Sequence, residues 1–252
     1  MKKVLWFFFI LGIGAVLITG CQQASSPTAT LDPSTAAAAV GQAVSSSLTF
    51  DSLLGFSAMS VQSVKAQTTG YFSPEADGWW GVTLSSLTFD SQSVSIEAHL
   101  MLYASPEVLI DTQTELGQIG GALILDKLYI YGTFSYSGIA SFTTNLGNGQ
   151  ADPLKMEGLS ATSGTITGDI INTTVADGET LIVSMTYNAV TLNSSNGYPS
   201  GTVNFSITYA GTAYAGTITF NGTALASMTF TQGLTGTYTI NLITGAVTAA
   251  SL

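Results

Sequence analysis

The chain has no arginine, one histidine (His99), one cysteine (Cys21) and five lysines to set against fifteen acidic residues. Each shortage removes a class of function. Nucleic acid and anionic lipid headgroups are both bound by cations that neutralise phosphate, so a chain of net charge −10 suits neither. One cysteine forms no internal disulfide. One histidine and one cysteine fall short of the ligand set that zinc takes. Charged residues make up 8% of the chain, against about a quarter in an average soluble domain. Thr, Ser, Asn and Gly fill the polar positions instead, as in many secreted all-β domains. A hydrophobic content of 46% is too high for disorder.

A long hydrophobic run is missing too. Val4 to Ile18 is apolar but broken by Gly12 and Gly14, and it is shorter than the ~20 residues a membrane-spanning helix needs. Lys2 and Lys3 precede it, and Leu17-Ile18-Thr19-Gly20-Cys21 closes it. Charged start, greasy middle and small-residue end are the layout of a secretory signal peptide. The close resembles the lipobox of bacterial lipoproteins, with Ile18, Thr19 and Gly20 in the places before the cysteine. That resemblance covers 21 residues and implies diacylglyceryl transfer to the Cys21 sulfur, cleavage between Gly20 and Cys21, and N-acylation of the new terminus. Several acyl chains on one residue anchor stably where one chain is marginal. The membrane is then the partner, the covalent lipid at Cys21 is the only added group, and the thiol is lost as a nucleophile. By the family's sorting rule, Gln22 in place of aspartate favours the outer membrane over the inner in a host that has both. Without residues 1–20, fifteen acids face Lys65, Lys127 and Lys155, a net charge of −12.

The remaining 232 residues are ample for a core. The organisation read from the sequence is a signal peptide over 1–20, a lipidated flexible tether over 21–31, and a single mainly-β domain with an N-terminal helix over 32–252. QQASSPTAT, from Gln22, is small, polar and punctuated by proline. Asp32 can cap a helix, Pro33 suits its first turn, and Ala36 to Ala39 are the best helix formers. Val40, Val44 and Leu48 continue one apolar stripe, so a helix is expected from about 33 to 47, extendable to 54. From Trp79 the period becomes two. Val94 to Leu102 alternates with Ser95, Glu97, His99, Met101 and Tyr103, and Leu181 to Ala189 alternates likewise. Gly121 to Tyr136 reads as one or two central strands. Four more strands run over 203–209, 214–220, 224–230 and 238–242. Asn221-Gly222 is the strongest hairpin signal, predicting a type I′ turn. Ala210-Gly211, Gly233 and Thr244-Gly245 punctuate similarly. Short connections of this kind make an antiparallel meander, and its greasy face requires a cover. The fold class expected is mainly β, an N-terminal helix packed on a large, curved antiparallel sheet or barrel-like meander. The heptapeptide Ser46–Ser52 recurs as Ser85–Ser91, and the flanks predict helix or loop for the first copy and strand for the second.

Chemistry is hard to find. His99 shares a strand face with Glu97 and Met101 and has no serine motif nearby. Glu75-Ala76-Asp77-Gly78 and Asp177-Gly178-Glu179 offer oxygens but not the ligand count of a calcium loop, so no metal and no catalytic residue is expected. Trp79 and Trp80 occupy opposite faces of a strand. One should be buried, and the other is a candidate stacking platform for a sugar or a wall of an apolar pocket. The function expected is a membrane-anchored envelope or surface lipoprotein acting as a non-enzymatic structural or binding module. A carrier of lipid or another apolar ligand in a half-barrel cavity is the alternative, and a carboxylate-based hydrolase ranks third. Ligand candidates are apolar or carbohydrate, with no protein partner indicated. A transmembrane barrel would gather its aromatics into two girdles, whereas here they fall throughout the strands.

Overall fold

The computed structural model describes residues 30–54, 72–89, 92–119, 122–137, 141–159, 163–193 and 198–250. The stretch read as a signal peptide, with Gly20 and Cys21, and the stretch read as a tether up to residue 29 lie outside the described residues. Leu31–Leu252 forms one compact unit, distinct from Met1–Thr30.

Helix α1 (Pro33–Leu54) opens that unit. Oδ1 of Asp32 accepts the backbone N–H of Ser34 at 2.9 Å and of Thr35 at 3.0 Å, and both hydroxyls also donate to the carboxylate. These bonds, the Ser34 hydroxyl's first, hold the Asp32 carboxyl far below the usual carboxylate range. Asp32→Ala is therefore expected to cost about 1 kcal/mol, the typical value of an N-cap, and Asp32→Asn much less, as measured by urea denaturation at neutral pH. The pH dependence follows from the sign of the shift. A depressed folded pKa stabilises the fold above the unfolded value near 3.9 and loses that contribution as pH falls from there toward the folded value. Asp32→Ala should thus narrow the gap between neutral and acid stability.

The buried stripe of α1 is Ala36, Ala37, Val40, Ala43 and Val44, and the helix packs on three strands, β9 (Glu179–Asn193), β13 (Thr237–Asn241) and β14 (Val247–Ala249). The repeated heptapeptide adopts both of its expected states. Ser46–Ser52 lies inside α1, whereas Ser85–Phe89 of the second copy lies in β2 (Trp80–Phe89). Context, not local propensity, decides between them.

The fourteen strands among the described residues join one antiparallel sheet. β1 (Phe72–Pro74) edges β2, followed by β3 (Gln92–Ala104), with short β4 (Val108–Leu109) beside it, and by β5 (Leu125–Ser137). The next place is shared by β6 (Phe142–Leu146) and β7 (Leu154–Glu157), each pairing with both β5 and β8 (Ser163–Ala176). They are two halves of one strand position, interrupted by the loop between them. From β8 the path is a meander through β9, β10 (Tyr198–Tyr209), β11 (Thr212–Asn221), β12 (Leu225–Gln232), β13 and β14. A four-residue helix, α2 (Gln113–Leu116), with a Thr112–Glu115 capping box, lies between β4 and β5. The mainly-β class, the N-terminal helix and the large antiparallel sheet are as the sequence predicts. Among the described residues no ladder joins β1 to β14, so the sheet is an open path.

One face of this sheet and the stripe of α1 form a single apolar cluster. The sheet curls to achieve this, since α1 touches both β9 and β13, four places apart. Register shifts mark the bends: between Ile166 and Gly168 on β8, and between Ser200 and Val203 on β10. Gly168 (φ 126°), Ala189 (φ 50°) and Gly201 (φ 130°) carry positive φ there, the bulge geometry that bends strands. Two-residue type I′ turns occur at Asp177-Gly178 and Ala210-Gly211, where both residues have positive φ. Asn221-Gly222 is not such a turn. Only Gly222 has positive φ, and Asn221 Oδ1 accepts the N–H and hydroxyl of Thr223 in a longer, side-chain-closed loop.

Candidate functional site

The outer face of the sheet divides in two. Across β9 to β13 one rung reads Thr186, Asn204, Thr217, Thr229 and Thr237, uncharged and aliphatic-free. Across β2 to β7 three adjacent rungs are rich in aromatic and charged residues, while the rungs beyond them, Glu97–Thr133–Asn145 and Ser95–Ser135–Thr143, are mostly hydroxyl and amide. Gly81, His99 and Tyr131 face one another on β2, β3 and β5. One rung on, Met101, Tyr129 and Lys155 align on β3, β5 and β7. Leu109, Tyr103 and Lys127 make the next rung. The single histidine and both described lysines thus share one patch.

Local chemistry builds it. A 3-10 turn over Ala76–Gly78, with positive φ at Asp77 and Gly78, folds the chain back so that the N–H of Glu75 donates to the Trp79 carbonyl at 2.8 Å. The Glu75 side chain then crosses Gly81, where a Cβ would stand 2.5 Å from Oε1, and its Oε2 meets Nδ1 of His99 at 2.7 Å. The His99 ring stacks on Tyr131 at 4.5 Å with planes 9° apart, and the Trp79 ring meets Tyr131 edge-on at 4.9 Å. Burial, then the Glu75 charge, raises the Tyr131 pKa. The Tyr129 hydroxyl donates to Oε1 of Glu157 at 2.6 Å, and burial followed by that bond holds it well above the ordinary phenol range. Tyr129 also meets Tyr103 edge-on at 5.7 Å, and the Lys155 ammonium stands 5.9 Å from its ring centre. The Lys127 ammonium donates to Glu107 at 2.6 Å, which raises the lysine and lowers the acid.

Trp79 and Trp80 do occupy opposite faces, but both are buried, at 5% and 0% exposure. Trp80 belongs to the core and its Nε1–H donates to the Ile110 carbonyl at 2.8 Å. Trp79 lies on the outer side, against Tyr131. Neither ring offers an open face, and the half-exposed rings of the neighbouring rungs are Tyr103 and Tyr129. The signal for them was present: Lys127, Tyr129, Tyr131 and Thr133 alternate with Leu128 and Ile130. Of the calcium candidates, Glu75 is bonded to His99, and Asp177-Gly178 forms a hairpin turn. Among the described residues no group of three or more His, Cys, Asp or Glu is placed to hold a metal, and no buried side-chain polar atom lacks a partner. An open cleft of about 430 Å³ lies between α1 (Thr35, Ala39, Gln42) and the β8–β9 hairpin (Thr174, Val175, Leu181).

No family model, no curated protein and no solved structure matches the chain.

Proposed function

We propose that the protein is a membrane-anchored envelope or surface lipoprotein whose folded part is a non-enzymatic binding or structural module. The observation that carries the non-enzymatic part is the employment of the carboxylates. Asp32 caps α1, Glu115 closes a capping box, Glu107 holds Lys127, Glu157 holds Tyr129, and Asp169 accepts from Thr186 and Asn148. Each of these five carboxylates holds a structural partner at the place where it stands. The anchor rests on Gly20-Cys21 behind its signal-like run, and α1 begins eleven residues past Gln22, which leaves a short stretch between lipid and fold. No helix among the described residues is long and apolar enough to cross a membrane.

Growth with labelled palmitate, followed by membrane fractionation, tests the anchor. Wild-type protein is expected to carry label and sediment with membranes. The Cys21→Ala form is expected to carry none and to lose most of its membrane association, since acyl burial is worth about 0.8 kcal/mol per CH₂. Unlabelled wild type, or a Cys21→Ala form held as firmly, overturns the anchor. The carrier reading draws on the cleft beside α1. Native mass spectrometry that finds a stoichiometric lipid in that protein would replace the module reading with the carrier.

A further inference from the structure

We propose that the outer face of β3, β5 and β7 is a binding site for a neutral carbohydrate, with Tyr103 and Tyr129 as stacking rings and Glu157 and Lys155 as the groups that read its hydroxyls. The inference rests on the binding-module reading and gives its ligand class.

Three observations lead there. The first is segregation. The β9–β13 outer face carries hydroxyls and an amide along its rung, whereas this face gathers tyrosines, a methionine and the lysines. Tyrosines on a solvent-facing sheet serve no core, and an aromatic body with a polar tip suits a ligand that is apolar on one side and wet on the other. The second is charge balance. Lys127 is paired with Glu107, while Glu157 and Lys155 both attend Tyr129. A balanced patch on a chain of net charge −10 does not attract an anion and has no unpaired carboxylate cluster for a cation. It does present donors and acceptors beside apolar rings, which matches the C–H face and hydroxyl rim of a neutral sugar. The third is preorganisation. The Tyr129 hydroxyl is fixed by Glu157 and its ring by Tyr103, so little side-chain freedom remains to be lost on binding.

The experiment titrates the full-length protein, purified in detergent, with soluble neutral oligomers of glucose, galactose and N-acetylglucosamine, and with polygalacturonate as an anionic comparison, by isothermal titration calorimetry. At least one neutral series is expected to bind with a Kd below about 1 mM. Tyr129→Ala should weaken it roughly tenfold or more, since a stacking ring is worth on the order of a tenfold affinity factor. Tyr129→Phe, which keeps the ring, should restore most of the affinity, and Thr229→Ala on the hydroxyl face should change nothing. Failure of every neutral series, equal binding of polygalacturonate, or a Tyr129→Ala form that folds and binds as well as wild type overturns the site. Labelled but sugar-blind protein sinks this inference alone, whereas unlabelled protein that still binds sugar sinks only the anchor.

Discussion

Trp80→Ala is expected to remove about 4 kcal/mol of stability, within the range for emptying a buried aromatic site. Trp80 is the largest of the fully buried side chains. It sits in register with Leu100 of β3, where β1, β2 and β3 stack side by side. Its deletion opens a cavity at the start of the sheet. It also strands the Ile110 carbonyl, which the indole N–H now satisfies at 2.8 Å. Ile110 is itself fully buried, so water is poorly placed to replace the lost donor, and an orphaned buried acceptor costs a further 1–3 kcal/mol or so. Trp80→Phe separates the two terms. It keeps most of the packing and loses the donor, so its loss should fall near 2 kcal/mol. Trp79→Ala, removing a ring outside the main cluster, should cost less than Trp80→Ala and should loosen Tyr131. Equilibrium denaturation in urea, with unchanged m-value as the criterion of an intact two-state comparison, reads all three. A Trp80→Ala loss below 1 kcal/mol would mean that the sheet does not begin where the register places it. Against total stabilities of roughly 5–15 kcal/mol, the expected loss brings the domain close to unfolding.

The contrast between the two tryptophans shows what alternation can and cannot reveal. Opposite faces follow from adjacency alone. That both rings are covered follows from the Tyr131 ring against Trp79 and from a turn with positive φ at Asp77 that brings Glu75 back over Gly81, where there is no Cβ. Neither is visible as hydrophobic periodicity. The same limit explains the strand that pattern reading left out. β8 has Ile166 and Ile170 inward, but Gly168 stands between them at a bulge, and the next inward residue is Asn172. Asn172 is buried because its amide donates to Thr144 Oγ1, directly across on β6, at 3.1 Å. A polar pair and a glycine break the signature at the spot where the sheet needs to bend. By contrast β9 to β13 have clean inward residues such as Val183, Met185, Val203, Phe205, Ile218 and Met228, and these strands were legible. β6 and β7 share one place and are five and four residues long, too short to show a period. The aromatic patch escaped for another reason. The alternation within β3 and β5 is visible in the sequence, but only the register across strands brings Tyr103, Tyr129 and Lys155 together.

Gly41→Val is the second large loss, expected at about 3 kcal/mol, the upper part of the range for overpacking, with Gly41→Ala smaller. Glycine is a poor helix former, costing up to about 1 kcal/mol relative to alanine in a helix interior, so an exposed Gly41 would gain stability from either change. It is buried against the β13–β14 hairpin, where a Cβ would stand 2.4 Å from the Gly245 carbonyl oxygen and 2.4 Å from Cγ2 of Val247. The approach is mutual. A Cβ on Gly245, which has φ 69°, would reach Oγ of Ser45 at 2.7 Å. The Val247 methyl can turn away, but the carbonyl belongs to a backbone held by the Gly245 N–H to Asn241 carbonyl bond at 2.8 Å. The helix must therefore lift, and lifting it uncovers Ala37, Val40 and Val44 together with Ile240 beneath. Two measurements on the same variant check the account. Thermal or urea unfolding gives the loss, and hydrogen exchange should show the amides of β13 and β14 opening before those of β10 and β11, because β14 ends the described sheet and α1 packs on both strands of that hairpin. A Gly41→Ala protein more stable than wild type would show that helix propensity outweighs contact here, and that α1 rides on the sheet without being seated in it.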